Sequence, residues 1–568
     1  MARLTHSPGS DGPGLRTLVR AGVLLAVALV IVGIAFHYGF VAYTRLRPVK
    51  VSAAEHELEV DRPGRTVRHG ASSLTRRGDL WTLRLEGPPA DIGAAHGALA
   101  GRLFHQIDAR VSDLVAAHRG GSIDAWAALT GLRWQFHEAD KVLDDARRRE
   151  LAALAAALPL AGPGALDAYH RLFLYQCFDE LAIEYDALVV EGLAFASTPR
   201  RAPDGTTSNM VIGRSFTLEV GPGFSPDRVV SFYYPDGKYP FVSIGWAGLV
   251  GVVTGINARG LFVALNPART DDPPEDGQPI ALVLRTVLEE ADTLDQAIEL
   301  LRAASLRTGG AVLIADGPAR KAAVLELSTR PKEERRPTRG DGDALLWATD
   351  HLTSEVFERD ANNDRIRRYT GSGSRYDRLG ELLGRAPVDV ARAAAILRDR
   401  SGVGDTELGL GNRNALDHLQ LAHAVIIDAT AMVMWVNEGP SAVGRFRAYD
   451  LRHWLTRERE RPAPPDDLPA DRLLHGEEFA DFEEAEEALE HARALYAEKR
   501  LDHARNAARV ALALAPDLGP LHRLLGDIER ERGEPEEALR HYRRYLELHP
   551  GQLRDQERVR GLIAELGG

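Results

Sequence analysis

Residues 191–219 read EGLAFASTPRRAPDGTTSNMVIGRSFTLE, and this stretch decides the fold of the middle of the chain. Two apolar runs flank the dipeptide Asp204-Gly205, which is typical of a tight turn. Further short apolar runs rich in β-branched and aromatic residues follow, with a helical pair among them. Strands interrupted by a helix pair predict an α+β domain rather than alternating βαβ units.

The elements around this stretch can be assigned from periodicity and turn residues. Residues 51–85 read as a linker that enters a strand at Leu80–Leu85, and residues 88–190 have a helical pattern rich in Ala and Leu. The predicted helix pair is Pro279–Glu290 and Thr293–Ala304, with Thr293 as the N-cap. The predicted strands are Met210–Ile212, Val229–Tyr233, Val250–Thr254, Leu261–Leu265, Ala311–Ile314, Ala322–Leu327, Val425–Ile427 and Met432–Val436.

Composition sets the outer limits of the interpretation. The 44% hydrophobic fraction excludes global disorder, and the length of 568 residues suggests roughly two to four domains. A net charge of −12 argues against a nucleic-acid partner. The single cysteine, Cys177, excludes an intrachain disulfide and a cysteine-cluster metal site, but it leaves one candidate thiol nucleophile.

Residues 21–44 contain no Asp, Glu, Lys or Arg, and about 20 such residues span a bilayer core. They predict a transmembrane anchor behind a tail of residues 1–20, with a cleaved signal peptide as the alternative. Basic residues are nearly balanced on the two sides. Arg3, Arg16 and Arg20 precede the span, whereas Arg45, Arg47 and Lys50 follow it. We expect a single-pass protein with a cytoplasmic tail and the main domain outside the cytoplasm.

A second boundary lies at residues 457–479, where four prolines among charged residues predict an extended linker. Residues 480–568 then repeat with a period of 34, since Ala492 recurs as Gly526, Ala504 as Ala538 and Pro516 as Pro550. The segment resembles tetratricopeptide repeats, which are helix-turn-helix units of this length. A protein-docking groove and a packing appendage on the main domain both fit such repeats.

Four segments between residues 88 and 440 resemble the acyl-coenzyme A:6-aminopenicillanic acid acyltransferase family of cysteine Ntn hydrolases. They are DIGAAHGALAGRLF (91–104), the stretch 191–219, GWAGLVGVVTGINARGLFVALNPA (245–268), and the helix pair with its following strands (284–328). The resemblance implies two antiparallel sheets between helical layers, self-cleavage just before a nucleophilic cysteine, and activity on amide bonds. The expected fold is thus α+β: an Ntn-hydrolase-like αββα sandwich at 86–456, preceded by one transmembrane helix and a linker at 45–85, and followed by an all-α tetratricopeptide-like repeat domain.

The chain departs from the family at the catalytic positions. The alignment puts Gly192 at the nucleophile position, and glycine has no side chain with which to attack a carbonyl. The family arginine is present as Arg214, but the aspartate that holds the amine is replaced by Thr217. Asn266 matches the asparagine that the resemblance implies as an oxyanion donor. Asp350 stands where a second oxyanion asparagine would lie, and its carboxylate would repel an oxyanion unless it is protonated.

Other residues could supply a nucleophile. Cys177 lies fifteen residues before Gly192 in an apolar helical pattern that predicts a packed helix, and Ser197 or Thr198 would require a shifted register. No HExxH, P-loop or GxSxG motif occurs, and the scattered histidines predict no metal site, so we expect no metal and no cofactor.

Two functions remain open from the sequence. The first is a membrane-anchored amidohydrolase or acyltransferase that takes a small acylated amine or peptide. The second is a catalytically inactive pseudoenzyme that binds a ligand, or acts as a scaffold that docks a protein partner through residues 480–568. In both, residues 21–44 bind the membrane and no nucleic acid is bound.

Overall fold

The structure is a computed structural model of the whole chain. It describes residues 15–61, 65–118, 130–158, 166–185, 189–198, 208–219, 227–330, 335, 337–340, 344–457, 465–548 and 553–567. The predicted turn at Asp204-Gly205, most of the N-terminal tail and the prolines 462 and 464 lie outside these ranges.

The larger of two sheets has eleven strands, which neighbour one another in chain order apart from a jump from the fourth to the seventh. They are β1 (Leu58–Val60), β2 (Thr66–His69), β3 (Ser72–Arg77), β4 (Leu80–Gly87), β7 (Val229–Pro235), β8 (Phe241–Gly245), β9 (Thr254–Asn257), β10 (Leu261–Ala268), β11 (Gly309–Asp316), β12 (Lys321–Leu327) and β13 (Pro337–Gly340). All neighbours are antiparallel except β4 and β7. The strands β5 and β6 leave this sheet to form the second one.

The smaller sheet has six antiparallel strands in the order β14-β5-β6-β15-β16-β17. They are β5 (Val189–Ser197), β6 (Val211–Glu219), β14 (Leu345–Ala348), β15 (His423–Asp428), β16 (Val433–Asn437) and β17 (Phe446–Asp450). β5 and β6 pair over their full lengths, with Gly192 opposite Phe216 and Ala194 opposite Arg214.

Besides the helical residues 130–135, sixteen α-helices accompany the sheets within the described ranges. They are α1 (Leu15–Tyr43), α2 (Pro89–His118), α3 (Asp145–Ala157), α4 (Ala168–Gln176), α5 (Phe178–Tyr185), α6 (Ile280–Glu290), α7 (Leu294–Ala303), α8 (Ala361–Tyr369), α9 (Gly371–Arg385), α10 (Val390–Leu397), α11 (Leu451–Trp454), α12 (Glu477–Ala497), α13 (Leu501–Leu514), α14 (Gly519–Arg532), α15 (Pro535–Glu547) and α16 (Leu553–Glu565).

The two sheets face each other between helical layers, and alternation along β5 shows how. Ala194 and Ala196 enter the apolar cluster between the sheets, together with Phe232 and Phe262 of the larger sheet. The intervening Leu193 and Phe195 instead join the cluster under α9 and α10. The outer face of the larger sheet packs against α2, α3, α4, α6 and α7. The α+β class predicted from the sequence is confirmed, and position 192 faces the space between the sheets because side chains alternate along a strand.

Three predicted boundaries need correction. The linker expected at 45–85 contains β1, β2 and β3 in addition to the strand that was predicted. The run Val250–Thr254 is not a strand, because β9 begins only at Thr254. In the linker at 457–479, residues 465–471 attach to the main domain: Leu468 bridges Phe446, and the Trp435 indole donates to the Asp466 carbonyl at 2.9 Å. The predicted helix pair is confirmed, including the cap at Thr293, whose hydroxyl accepts from the Gln296 amide.

At the N-terminus, the segment Val19–Thr44, which consists of most of α1 and the residue after it, is long and apolar enough to cross a membrane, with a mean hydropathy of 2.6 in its most apolar part. None of that part is buried against the protein. At the C-terminus, α12 to α15 form two helix pairs, and α16 follows them. The ring of Tyr542 covers Gly526, where an added methyl carbon would lie only 2.4 Å from a ring carbon.

Candidate functional site

The site lies where β5 passes between the two sheets. Gly192 is an interior residue of β5, and the three residues before it are paired with β6, so the chain continues through this position as regular strand. A Cβ atom at Gly192 would lie 2.4 Å from Nη1 of Arg214 and 2.8 Å from Oδ1 of Asn266. Contacts this close require other atoms to move, so the place of a nucleophilic side chain is filled by the neighbouring residues.

Arg214 occupies this place in a fully buried position. Its Nη1 donates to Oδ1 of Asn266 at 2.5 Å, its Nε donates to Thr254 Oγ1 at 3.1 Å, and its Nη2 donates to the carbonyl of Leu265. The described residues include no carboxylate in an ion pair with Arg214. Burial lowers the pKa of Arg214 to about 9, an effect that the charge of Asp350 opposes. The guanidinium therefore remains cationic at neutral pH and is held by neutral acceptors.

Asp350 closes the site from the segment after β14. Its Oδ1 accepts the Gly192 backbone N–H at 2.5 Å, and its Oδ2 accepts from Arg375 Nη2 at 2.9 Å. Burial raises the pKa of Asp350 to about 7, since the charge of Arg375 offsets only part of the desolvation. The hydroxyl of Ser372, near the start of α9, accepts the Asp350 backbone N–H. This hydrogen bond fixes the segment that carries the carboxylate.

A chain of alternating charges extends from Asp350 toward the C-terminal helices. Arg375 bridges Asp350 and Glu191, at 2.9 Å and 3.0 Å. Arg413 contacts the same oxygen of Glu191 at 3.2 Å and also pairs with Glu219. Although burial opposes ionisation of Glu191, these two guanidiniums lower its pKa to about 2. Glu191 contacts two guanidiniums, whereas Asp350 contacts one. When these two carboxyl groups share one proton, Asp350 therefore carries it.

Thr217 lies beside the site rather than in it. It pairs with Glu191 across β5 and β6, and its hydroxyl hydrogen-bonds Nε2 of His418 at 3.1 Å. Burial and the charge of Arg413 lower the pKa of His418 to about 3, so His418 is neutral at neutral pH. A threonine hydrogen-bonded to a neutral imidazole carries no negative charge, so it cannot hold a free amine as the aspartate expected from the resemblance would.

A small cavity of about 50 Å³ opens next to Glu191 and Asp350. Its walls also include Thr370 and apolar residues of α5 and β10. Pockets that bind small molecules usually measure 300–1,000 Å³, so this space suits a few water molecules rather than an acylated amine.

The alternative nucleophiles from the sequence occupy other surroundings. Cys177 ends α4 within the core under the larger sheet, where burial raises the pKa of its thiol well above the usual value. The predicted burial of Cys177 is confirmed, but the predicted helix is interrupted there, since Cys177 lies between α4 and α5. Ser197 ends β5, and the hydroxyl of Thr198 donates to the Ala344 carbonyl at 2.9 Å. Across the described part of the chain, no group of three or more His, Cys, Asp or Glu side chains could hold a metal ion.

Comparisons with known proteins bear on this site. Residues 224–409 match the family described as acyl-coenzyme A:6-aminopenicillanic acid acyl-transferase. That range includes Asn266 and Asp350 but begins after Gly192 and Arg214. An uncharacterized protein of Archaeoglobus fulgidus is 26% identical over 264 residues, which are 44% of this chain and 43% of the relative. The chain thus spans less than half the length of this curated relative.

Three solved structures show limited likeness. The Caenorhabditis elegans ortholog of N-acylethanolamine-hydrolyzing acid amidase is 14% identical, with a TM-score of 0.30, covering 42% of this chain and 93% of that one. The C2A mutant of conjugated bile acid hydrolase from Clostridium perfringens is 12% identical, with a TM-score of 0.30, covering 46% and 93%. Penicillin V acylase from Agrobacterium tumefaciens is 14% identical, with a TM-score of 0.24, covering 44% and 75%.

The structure therefore brings together four of the five residues singled out in the sequence: Gly192, Arg214, Asn266 and Asp350. Sequence reasoning missed three charged residues of the site, Glu191, Arg375 and Arg413. Glu191 could have been noticed, since a carboxylate directly before the nucleophile position is buried in a run of apolar residues. As arranged, these groups contact one another, and no side chain is available for catalysis at position 192.

Proposed function

We propose that this protein is a membrane-anchored, Ntn-hydrolase-like relative of acyltransferases and amidases that has lost amide cleavage and docks a protein partner. The observation that carries the proposal is the filled nucleophile position. Arg214 and Asn266 occupy the space that a side chain at Gly192 would need. The family match to residues 224–409 supports descent from proteins that act on amide bonds.

Three further features support the loss of catalysis. The backbone N–H of Gly192 is used by Asp350, so no free amine is presented as a base. The residues before Gly192 are paired in a strand, which disfavours processing of the chain at this place. Finally, the thiol of Cys177 is fully buried. Thiolate nucleophiles in enzymes lie in partly exposed, electropositive surroundings, and Cys177 does not.

The docking role is assigned to the C-terminal helices, which we take to be tetratricopeptide-like. The 34-residue period is supported by small residues buried at equivalent places, namely Ala492 with Gly526 and Ala504 with Ala538. A groove of about 620 Å³ lies between α13 and α15, and both acidic and basic side chains border it, among them Arg540 and Arg543. A polar peptide segment of a partner protein suits a groove of this character.

The helical repeats also attach to the main domain. Leu419 and Val443 share an apolar cluster with Phe479 and Phe482 of α12. Gln556 of α16 donates to the carbonyl of Tyr369 at the end of α8. The repeats are therefore carried on the main domain, and α1 would carry both on a membrane, with the main domain outside the cytoplasm.

Turnover measurements test the loss of catalysis. Full-length protein in detergent is incubated with a panel of N-acyl amines and N-acyl amino acids, in parallel with Cys177→Ala and Asp350→Asn. We expect no product above the rate without protein in any of the three. Product formation that Cys177→Ala abolishes would restore Cys177 as a nucleophile and overturn the proposal.

A second candidate, amide hydrolysis without a cysteine, is favoured by one observation. Asp350 lines the small cavity, and its pKa of about 7 suits a general acid or base acting on a bound water. Turnover that survives Cys177→Ala but is lost in Asp350→Asn would establish this candidate.

Docking is tested separately by charge reversal in the groove. Arg540→Glu with Arg543→Glu should release a partner that co-purifies with the parent protein from membranes. Arg558→Glu, an exposed arginine on α16, is the matched control and should retain the partner. Equal recovery with all three proteins would place docking elsewhere.

A further inference from the structure

An aromatic cluster joins the C-terminal end of α1 to the main domain. We define the aromatic collar as Phe40 and Tyr43 of α1 together with Trp134 and His137, which lie in and just after the helical residues 130–135. The Trp134 ring stacks on Phe40 with centroids 6.0 Å apart, and it stacks on His137 at 5.2 Å. Tyr43 contacts both Trp134 and His137, at 6.0 Å and 5.5 Å.

Polar and apolar contacts fix the collar in place. Arg133 is buried, and its guanidinium donates to the Val41 carbonyl at 3.0 Å and to Thr44 Oγ1 at 2.8 Å. The last carbonyls of a helix lack partners within the helix, so this arginine satisfies a group at the end of α1. Directly afterwards, Leu46 is buried in the main core. The end of α1 is thus held at a defined place on the domain surface.

The length of α1 determines how deep the collar lies. The segment Val19–Thr44 has 26 residues, which at about 1.5 Å per residue is about 39 Å. A bilayer core is about 30 Å thick, so about 20 of these residues fill it. If the segment is centred in the bilayer core, Phe40 lies in the last helical turn inside that core and Tyr43 lies just outside it. Trp134 stacks at the same level, at the boundary between acyl chains and headgroups.

The exposed surface at this level suits that boundary. Trp134 is 53% exposed and Tyr43 is 65% exposed, although both are large aromatic residues. Trp and Tyr are enriched at membrane interfaces, because the ring favours an apolar surround and the polar atom favours water. The exposed basic residues Arg45, Arg47 and Lys50 follow at once and would meet the headgroups.

We propose that Trp134 is a second membrane contact, which inserts at the interface of the bilayer that α1 crosses and holds the main domain against its surface. The inference rests on the proposed role of α1 as an anchor, and it adds a lipid surface as a binding partner of residues 130–137. The domain would then keep one fixed face toward the membrane instead of moving freely on a tether.

The contact is tested by measuring how strongly lipid nitroxides at two depths of the bilayer quench a fluorophore near position 134. Full-length protein in the Cys177→Ala background is labelled with an environment-sensitive fluorophore through Trp134→Cys, or through Gln135→Cys, which retains the tryptophan. Val30→Cys in α1 and Val510→Cys in α13 serve as controls, since both side chains are exposed. Each protein is reconstituted in phosphatidylcholine vesicles that contain a minority of phosphatidylglycerol and carry a nitroxide near the headgroup or deep in the acyl chain.

We expect the shallow nitroxide to quench the probes at 134 and 135 at least about twofold more than the deep one. The probe at 30 should be quenched mainly by the deep nitroxide, and the probe at 510 by neither. Quenching at 30 without quenching at 134 or 135 would overturn the second contact while leaving the anchor intact. Absence of quenching at 30 would overturn the anchor and, with it, the second contact.

Discussion

A single methyl group added at position 192 should destabilise the main domain. In Gly192→Ala the new carbon would lie 2.4 Å from Nη1 of Arg214 and 2.8 Å from Oδ1 of Asn266. Both atoms end side chains, yet neither can move freely. Arg214 is fully buried and donates to Thr254, to Asn266 and to backbone carbonyls. The methyl group must therefore displace a buried cation from its acceptors.

The cost can be estimated from two effects. Overpacking a filled core costs about 1–3 kcal/mol. Weakening one hydrogen bond of a buried charged group costs about 1.5–3 kcal/mol. Because both act on the same side chain and overlap, we expect a loss of about 3 kcal/mol in the free energy of unfolding. For a domain of this length, such a loss corresponds to a fall in Tm of roughly 4 °C.

The assay is thermal unfolding of full-length protein followed by tryptophan fluorescence. Gly384→Ala is the matched control, since nothing lies within 4 Å of its added carbon in α9. Alanine in a helix is favoured over glycine, so the control should gain up to about 1 kcal/mol. Arg214→Leu should reduce the additional effect of Gly192→Ala, because it removes the guanidinium that the methyl group meets. If Gly192→Ala melts with the parent, the packing described around Gly192 is refuted.

Three further predictions follow from the pKa shifts and the packing. Asp350→Asn should flatten the pH dependence of Tm. The pKa of Asp350 is about 7 in the folded protein and 3.8 in the unfolded chain, so the folded state holds the proton more tightly. The parent protein therefore loses stability as the pH rises from about 4 to about 7, and the variant should not show this loss. Equal slopes in both proteins would contradict this assignment. Cys177 should resist a maleimide in the native protein and react fully in denaturant, since it is buried with a raised pKa; rapid native labelling would contradict its burial. Gly526→Val should loosen α14 against α15, because the added Cβ would meet the Tyr542 ring at 2.4 Å, and limited proteolysis should then attack the C-terminal helices sooner than in the control Gly561→Ala; equal digestion would contradict the close contact.

Much of the fold could be predicted from the sequence, and the errors have physical causes. The strands 261–268 and 321–327 and both helices of the predicted pair were recognised, because apolar residues line their buried faces. The strands β2 and β3, which lie next to the edge strand β1, were missed, since Thr66–His69 and Ser72–Arg77 contain few apolar residues. The run Val250–Thr254 is fully buried, and its sequence is therefore as apolar as that of a strand. Its amides instead donate to the Gln176 side chain and to the Ala281 carbonyl, which no local pattern reveals.

The candidate site was predictable only in part. Family resemblance located Gly192, Arg214, Asn266 and Asp350, and the structure brings these residues together. Arg375 and Arg413 could not be found in the same way, because they belong to a helix and a loop whose charged residues look solvent-exposed in sequence. Only the packing of α9 and of the loop before β15 against β5 buries both guanidiniums beside Glu191.

The intact mass of the purified protein tests the central claim most directly, because the closed site requires that the chain continue unbroken through Gly192. We expect one species for the full-length chain of 62.1 kDa, with no N-terminus at or near residue 192. The Gly192→Cys variant should also remain uncut, since the side chain has no room beside Arg214. A fragment of the parent protein that begins at residue 192 would contradict the account.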